Sequence, residues 1–315
     1  MQGARFVLFT IVLAAIACAP RPPRAAPPTP GHDDVAGHHD PGGADAGDEE
    51  PEDDGEDERP PPPPSEPVVP GGNQKIRSFA EAKRLLGKIY ERHRVDLYCG
   101  CTFFPKEDHG YRVDLASCGY VVARDAARAS RIEWEHAVPA ATFGRTFVEW
   151  THGDDRCVDR KGKRFKGRKC ARKSPEFARM EADLHNLFPV VGEVNGLRGD
   201  LPMGILDPPD RRPPHQQKTK DVFVFGACKS TIDRGVFLPR PEVRGDVARA
   251  ALYMDWAYPS RRWLDEDHRR LFERWSAEDP PDAWERERNA AIAERQGNAN
   301  PFISGGAPPA GSLTH

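Results

Sequence analysis

Apolar residues recur at helical spacing in four stretches of this chain, with short alternating or continuous apolar runs between them. Residues 79–93 set Ala80, Ala82, Leu85, Leu86 and Ile89 on one broad face, which predicts a helix. Residues 95–122 lose that period and carry three cysteines, which predicts short strands and turns. Residues 133–139 read as a strand end running into a loop. Ser174-Pro175-Glu176-Phe177 reads as a helix start, with Ser174 as cap and Pro175 in the first turn. A short helix is expected over 193–198, and a strand over 221–228, where Val222, Phe223, Val224 and Phe225 stand together. After Pro241 the helical period returns three times, over 243–258, 265–276 and 282–296, and Gly297 supplies a stop. Met254, Trp256, Leu271, Phe272 and Trp275 read as core.

The N-terminal part follows different rules. Residues 6–17 are apolar except for Thr10, and twelve residues are too few to span a bilayer, for which ~20 are needed. Residues 1–18 therefore read as an export signal. Ala15-Ile16-Ala17-Cys18 resembles a bacterial lipoprotein cleavage box, which makes Cys18 the lipidated N-terminus; a plain cleaved secretory signal is the alternative. Either reading places the protein in the periplasm or at the cell surface. Residues 19–74 are rich in Pro, Gly, Asp and Glu with almost no large apolar residues, so they cannot offset their ordering entropy and are expected to form a disordered tether. Residues 75–304 show no internal repeat and no proline-rich break, so one domain is expected there, with a frayed tail over 305–315.

Charge changes the picture of that domain. The tether holds fourteen acidic residues and three arginines, which hides a net charge of about +7 on residues 75–315 within a chain of net −3. Ten Lys and Arg lie between Arg156 and Lys173 against the single Asp159, a density that points to a polyanionic substrate. The domain's cysteines are Cys99, Cys101, Cys118, Cys157, Cys170 and Cys228, an even number that in an exported chain implies three disulfides. Fifteen pairings are open. Zinc at Cys99-Gly100-Cys101 is the competing reading, disfavoured because the gap is one residue short.

Two runs carry the chemistry. Glu133-Trp134-Glu135-His136-Ala137-Val138-Pro139-Ala140 sets a histidine beside a carboxylate, and Gly192-Glu193-Val194-Asn195-Gly196-Leu197-Arg198 adds an asparagine in a helix-compatible segment. Histidine can take a proton from water near neutral pH. A carboxylate and an amide oxygen are hard donors suited to Mg²⁺, which needs few protein ligands. With the basic connector between them, these parts point to metal-assisted phosphodiester hydrolysis.

The ordered set Tyr98-Cys99-Gly100-Cys101, Ala116-Ser117-Cys118-Gly119-Tyr120, Trp134-Glu135-His136, Phe143-Gly144, Asp183-Leu184-His185-Asn186-Leu187, Gly192-Glu193-Val194-Asn195-Gly196, Ala248-Arg249-Ala250, Tyr253-Met254 and Gln296-Gly297-Asn298 resembles the bacterial endonuclease I family, exported non-specific nucleases with a His-Me finger (ββα-metal) active site. The resemblance implies an α+β fold: a mixed, mainly helical, disulfide-bonded single domain around that ββα-metal core. It implies that His136 is the general base, that Glu135 and Asn195 bind Mg²⁺ (or Mn²⁺), and that the ends produced carry 5′-phosphate. It matches Gly167-Arg168-Lys169-Cys170 to the run whose arginine meets the scissile phosphate, so Arg168 is that arginine, with Arg164 and Arg172 as alternatives across a lengthened connector. Glu181, His185 and Asn186 are expected behind the metal and Arg168, against a reading of Asp183 and Asn186 as structural caps. Arg164, Lys166, Lys169, Arg172 and Arg198 are expected on nucleic-acid phosphates, with Arg198 as an alternative fold anchor. DNA and RNA are the expected partners, read without strong sequence preference by a monomer that meets the membrane only through Cys18.

The chain departs from the family pattern in places. Trp284-Glu285-Arg286 has arginine where relatives carry cysteine, no cysteine stands at Thr314-His315, Leu197 replaces a polar residue, and Asp200 stands where asparagine is common. The competing functional classes are a surface lipoprotein that captures nucleic acid without cutting it and a structural envelope lipoprotein.

Overall fold

The computed structural model describes residues 71–107, 109–205, 222–233 and 235–304. The signal segment with Cys18, the tether up to residue 70, Asp221 and the tail 305–315 lie outside the described residues. Residues 71–74, read above as the end of the tether, belong to the domain: Asn73 is fully buried and donates to the carbonyls of Ile76 and Arg179.

Helix α1 (Phe79–Ile89) starts where Ser78 accepts from the Glu81 N–H and buries Ala82, Leu86 and Ile89; of the rest of the expected face, Leu85 is half-buried and Ala80 is exposed. It closes at Tyr90, a turn earlier than its apolar pattern suggests. The hairpin β1 (Thr102–Pro105) and β2 (Tyr111–Asp114) follows, then a 3-10 turn over Leu115–Cys118 and the one-turn helix α2 (Ala126–Ala129).

The centre of the molecule is an antiparallel pair, β3 (Ile132–His136) and β4 (Leu187–Val191), in which Ile132 faces Val191 and His136 faces Leu187. Helix α7 (Gly192–Arg198) leaves β4 with no residue between them. The connection from β3 to β4 contains the short helices α3 (Ala140–Gly144), α4 (Val148–Thr151), α5 (Arg168–Ala171) and α6 (Pro175–Glu181). Strand β4 was not foreseen, because its apolar run contains Pro189; in this two-stranded sheet the proline sits opposite Trp134 and its carbonyl accepts from Leu97.

A meander of β5 (Val222–Phe225), β6 (Cys228–Asp233) and β7 (Val236–Leu238) forms the third sheet among the described residues. The sequence had suggested one strand there; Gly226, with φ 65°, turns the chain into a hairpin instead. The three C-terminal helices are α8 (Arg244–Ala257), α9 (Glu266–Glu278) and α10 (Ala283–Gln296). Asp265 and Asp282 cap the last two, and Gly297 ends α10 in the left-handed conformation. Without the cysteine of the usual Trp-Glu-Cys run, α10 is fastened by the buried Arg249–Glu285 pair at 2.5 Å and by Trp284 stacked on His93.

All six domain cysteines pair, as Cys99–Cys228, Cys101–Cys118 and Cys157–Cys170, with Cα separations of 4.6, 4.7 and 5.4 Å. Cys99 and Cys101 go to different partners, and Asp96 gathers both of their N–H groups.

Candidate active site

Strand alternation divides the Glu133–His136 run. Glu133 and Glu135 share the face turned to α7, while His136 lies on the other face. On α7, Asn195 and Arg198 are three residues apart and so point the same way. Asn195 Nδ2 donates to Glu133 Oε2 at 2.8 Å, and Arg198 Nη1 donates to Glu135 Oε1 at 2.5 Å. Four side chains from the two elements thus close one polar cluster. Burial pushes the Glu135 carboxyl above its usual range, against the pull of the Arg198 charge.

Arg198 also donates to the carbonyls of His136 and Ala137, at 2.8 and 2.7 Å. Its side chain is 1% exposed, so its assignment to a nucleic-acid phosphate is corrected: Arg198 anchors the end of β3 to α7. Both of its Nη groups are thus taken by protein acceptors.

His136 is buried between Phe79, which stacks on its ring at 5.2 Å, and Phe143. Its Nε2 lies 2.8 Å from the Glu181 carbonyl oxygen. A carbonyl only accepts, so Nε2 carries the proton and Nδ1 is left with its lone pair. Burial, reinforced by the Arg168 charge, pushes the imidazole down to about 3, which keeps the ring neutral at physiological pH.

The carboxylate of Glu181 binds both candidate arginines nearest His136. Arg168 Nε reaches Oε1 at 2.6 Å, and Arg172 Nε reaches Oε2 at 2.9 Å. Burial works to raise Glu181, but the two guanidinium groups outweigh it and hold the carboxyl below its usual range. The Arg168 guanidinium also lies 5.5 Å over the Phe79 ring that stacks on His136. Arg164 stands apart, exposed and paired with Asp155 at 2.8 Å. Lys166 and Lys169 are exposed along the same connector, which the Cys157–Cys170 disulfide ties to α5.

Asn186 clamps the turn after His136, accepting from Val138 N–H and donating to Val138 O. His185 turns away from His136: its Nε2 meets the Asn298 carbonyl at 3.0 Å and its ring packs on Tyr253. Asp183 is a buried acceptor for Tyr253, Tyr258 and Gln296. Asp200 pairs with the exposed Arg145.

Sequence reasoning missed Glu133, Arg128, Arg131 and Phe79. Arg128 and Arg131 both bind Glu133. The period of two that places Glu135 on a face places Glu133 on the same face, and that signal was available; the positions of Arg128 and Phe79 depend on tertiary packing and were not.

Comparison with known proteins places this arrangement in a family. Residues 75–306 match the family model described as Endonuclease I. The chain is 41% identical over 239 residues to an extracellular deoxyribonuclease of Aeromonas hydrophila, covering 74% of this chain and 91% of that protein. It is 40% identical over 235 residues to a periplasmic deoxyribonuclease of the same organism (73% and 86%). It is 34% identical over 230 residues to Endonuclease-1 of Buchnera aphidicola (72% and 81%). On the extent of the family match and these identities, the chain belongs to the Endonuclease I family.

Proposed function

We propose that the protein is an exported, metal-dependent endonuclease that hydrolyses phosphodiester bonds of DNA, and of RNA, without strong sequence preference. The observation that carries this reading is a buried histidine at the end of β3 whose Nε2 meets the Glu181 carbonyl, beside an arginine held by the Glu181 carboxylate and one residue from a cluster of oxygen donors. His136 Nδ1 takes a proton from water, whose oxygen attacks phosphorus; the bond to the 3′-oxygen breaks, that oxygen takes a proton from a second water to become a hydroxyl, and the new end carries a 5′-phosphate. Glu181 holds Arg168 ready for the phosphate oxygens, with Arg172 beside it.

The donor set fits a hard divalent cation. Glu135 offers a carboxylate, and Asn195, partly exposed, offers its amide oxygen. Among the described residues no three His, Cys, Asp or Glu side chains are grouped to hold a metal, which suits Mg²⁺ or Mn²⁺, ions that keep most of their waters, better than a caged zinc. Bound there, Mg²⁺ supplies charge neutralisation at the phosphate and at the departing oxygen. The ββα arrangement of β3, β4 and α7 is read as the His-Me finger core.

The Lys and Arg side chains from Arg164 to Arg172 extend the contact to neighbouring phosphates, which favours backbone over base recognition. Export agrees with the three disulfides and with the relatives' extracellular and periplasmic names. Lipidation at Cys18 would hold the protein to the envelope, and radiolabelled palmitate incorporation lost in Cys18→Ala tests it.

Supercoiled plasmid and single-stranded RNA incubated with the oxidised protein, with Mg²⁺ or EDTA, test the activity. Mg²⁺-dependent nicking with ends that accept ligation directly is expected. Binding without nicking would instead support the capture reading.

A further inference from the structure

We infer that Glu133 locks the amide of Asn195 in the one orientation that leaves its oxygen available to a cation. The inference rests on the nuclease reading of the site. Glu133 receives Arg128 Nε at 3.1 Å and Nη2 at 2.5 Å, and Arg131 Nε at 3.0 Å, besides Asn195 Nδ2 at 2.8 Å. Carboxylate oxygens accept these four hydrogen bonds, so it is the NH₂ of the amide that faces Glu133. Oδ1 must then point the other way. Without such a partner, the two flips of an asparagine amide fill nearly the same space and differ only in their hydrogen bonds.

The Gly-Glu-Val-Asn-Gly run builds this lock as well as carrying Asn195. A Cβ at Gly196 would lie 2.1 Å from Arg128 Nη1, and one at Gly192 would lie 2.8 Å from Glu133 Oε1. Both positions therefore need glycine for Arg128 and Glu133 to close over α7. Glu193 accepts from the N–H groups of Ala123, Arg124 and Asp125, and Asp125 caps α2, the helix that presents Arg128. Glu133 is thus a positioning residue that acts through Asn195.

The test is Mn²⁺ binding to the full chain, followed by calorimetry without nucleic acid. Glu133→Gln can offer its own NH₂ to Asn195 Oδ1, which releases the flip and occupies the oxygen. About tenfold weaker Mn²⁺ binding is expected, within the range for a partner that orients a ligand. In an Asn195→Ala background the same substitution should cause no further loss. The Mg²⁺ concentration for half-maximal cleavage should rise by the same factor, while the rate at saturating Mg²⁺ changes less than about twofold. Gly196→Ala, which displaces Arg128 but leaves both partners, gives a second route with a loss of a few fold. Unchanged affinity in both variants, or an equal loss with and without Asn195, would overturn the lock. Wild-type protein that binds no Mn²⁺ would overturn the metal site itself and the lock with it.

Discussion

Arg198→Ala should cost stability and leave nucleic-acid affinity nearly untouched. The side chain is 1% exposed, and it supplies the partner of the Glu135 carboxylate and of two backbone carbonyls at the end of β3. Removing one member of a buried ion pair costs about 3–5 kcal/mol, because the remaining charge is left without compensation. Water entering the vacated volume can serve the carbonyls, so about 4 kcal/mol is expected in total. For a domain of this size that lowers Tm by about 8–16 °C. Arg198→Lys keeps the charge but not the planar fork, and roughly half the loss is expected. Thermal unfolding by circular dichroism reads the stability, and fluorescence anisotropy with a DNA duplex across a salt series, below both transitions, reads the contact. A phosphate-binding Arg198 would give the reverse: Tm within about 1 °C of wild type and a salt slope reduced by about 1. That result would refute the anchoring role.

Stability should also follow pH through two histidines. Burial pushes His136 down to about 3 and His185 down to about 4, against about 6.5 in the unfolded chain. Between those values only the unfolded chain binds the protons, so stability is full above about pH 6.5 and falls as pH drops. Two carboxyls raised by burial, Asp96 to about 6 and Asp246 to about 8, act in the opposite direction over this range, so the histidine contribution is read by difference. Between pH 7 and pH 5 the wild type should lose about 2 kcal/mol relative to His185→Gln in urea unfolding, and an equal pH response would contradict a buried neutral ring. Glu181→Gln removes the charge that holds Arg168 and Arg172 while keeping the carbonyl that orients His136; kcat should fall about 10–100-fold, and an unchanged kcat would sink the role. Among the disulfides, Cys99–Cys228 spans 129 residues and Cys157–Cys170 spans 13, so paired serine variants should lose about 5 and about 3 kcal/mol respectively. Thermal melts that reverse this order would refute the loop-entropy account, whereas DNA cleavage should suffer from the loss of Cys157–Cys170 because α5 carries Arg168.

Long amphipathic segments were legible in the sequence, and short irregular ones were not. Helices α1, α9 and α10 show where period and caps agree: Asp265, Asp282, Ser78 and Gly297 all act as their residue types suggest, while α8 follows Val243 without a side-chain cap. Helices α2 to α5 are four or five residues long, too short to show a period, and α3 to α5 lie in the connection that bridges β3 and β4. Pro189 hid β4, since proline is excluded from central strands but not from the edge it occupies here. At the site, adjacency in sequence misled in one respect. Glu135 and His136 are neighbours but face opposite sides of the strand, so each is completed by different elements, α7 for one and α5 and α6 for the other. Arg198 shows the same limit: its sequence left phosphate and fold anchor both open, and its burial decides for the anchor.

The most direct test of the account is the single-turnover cleavage rate of His136→Ala beside wild type, in saturating Mg²⁺, with DNA affinity measured in the same preparation. Loss of the proton acceptor should slow cleavage by at least about 10²-fold while binding is retained. A His136→Ala protein that binds DNA normally and cuts it at the wild-type rate would contradict the assignment of the base, and with it the reading of the site.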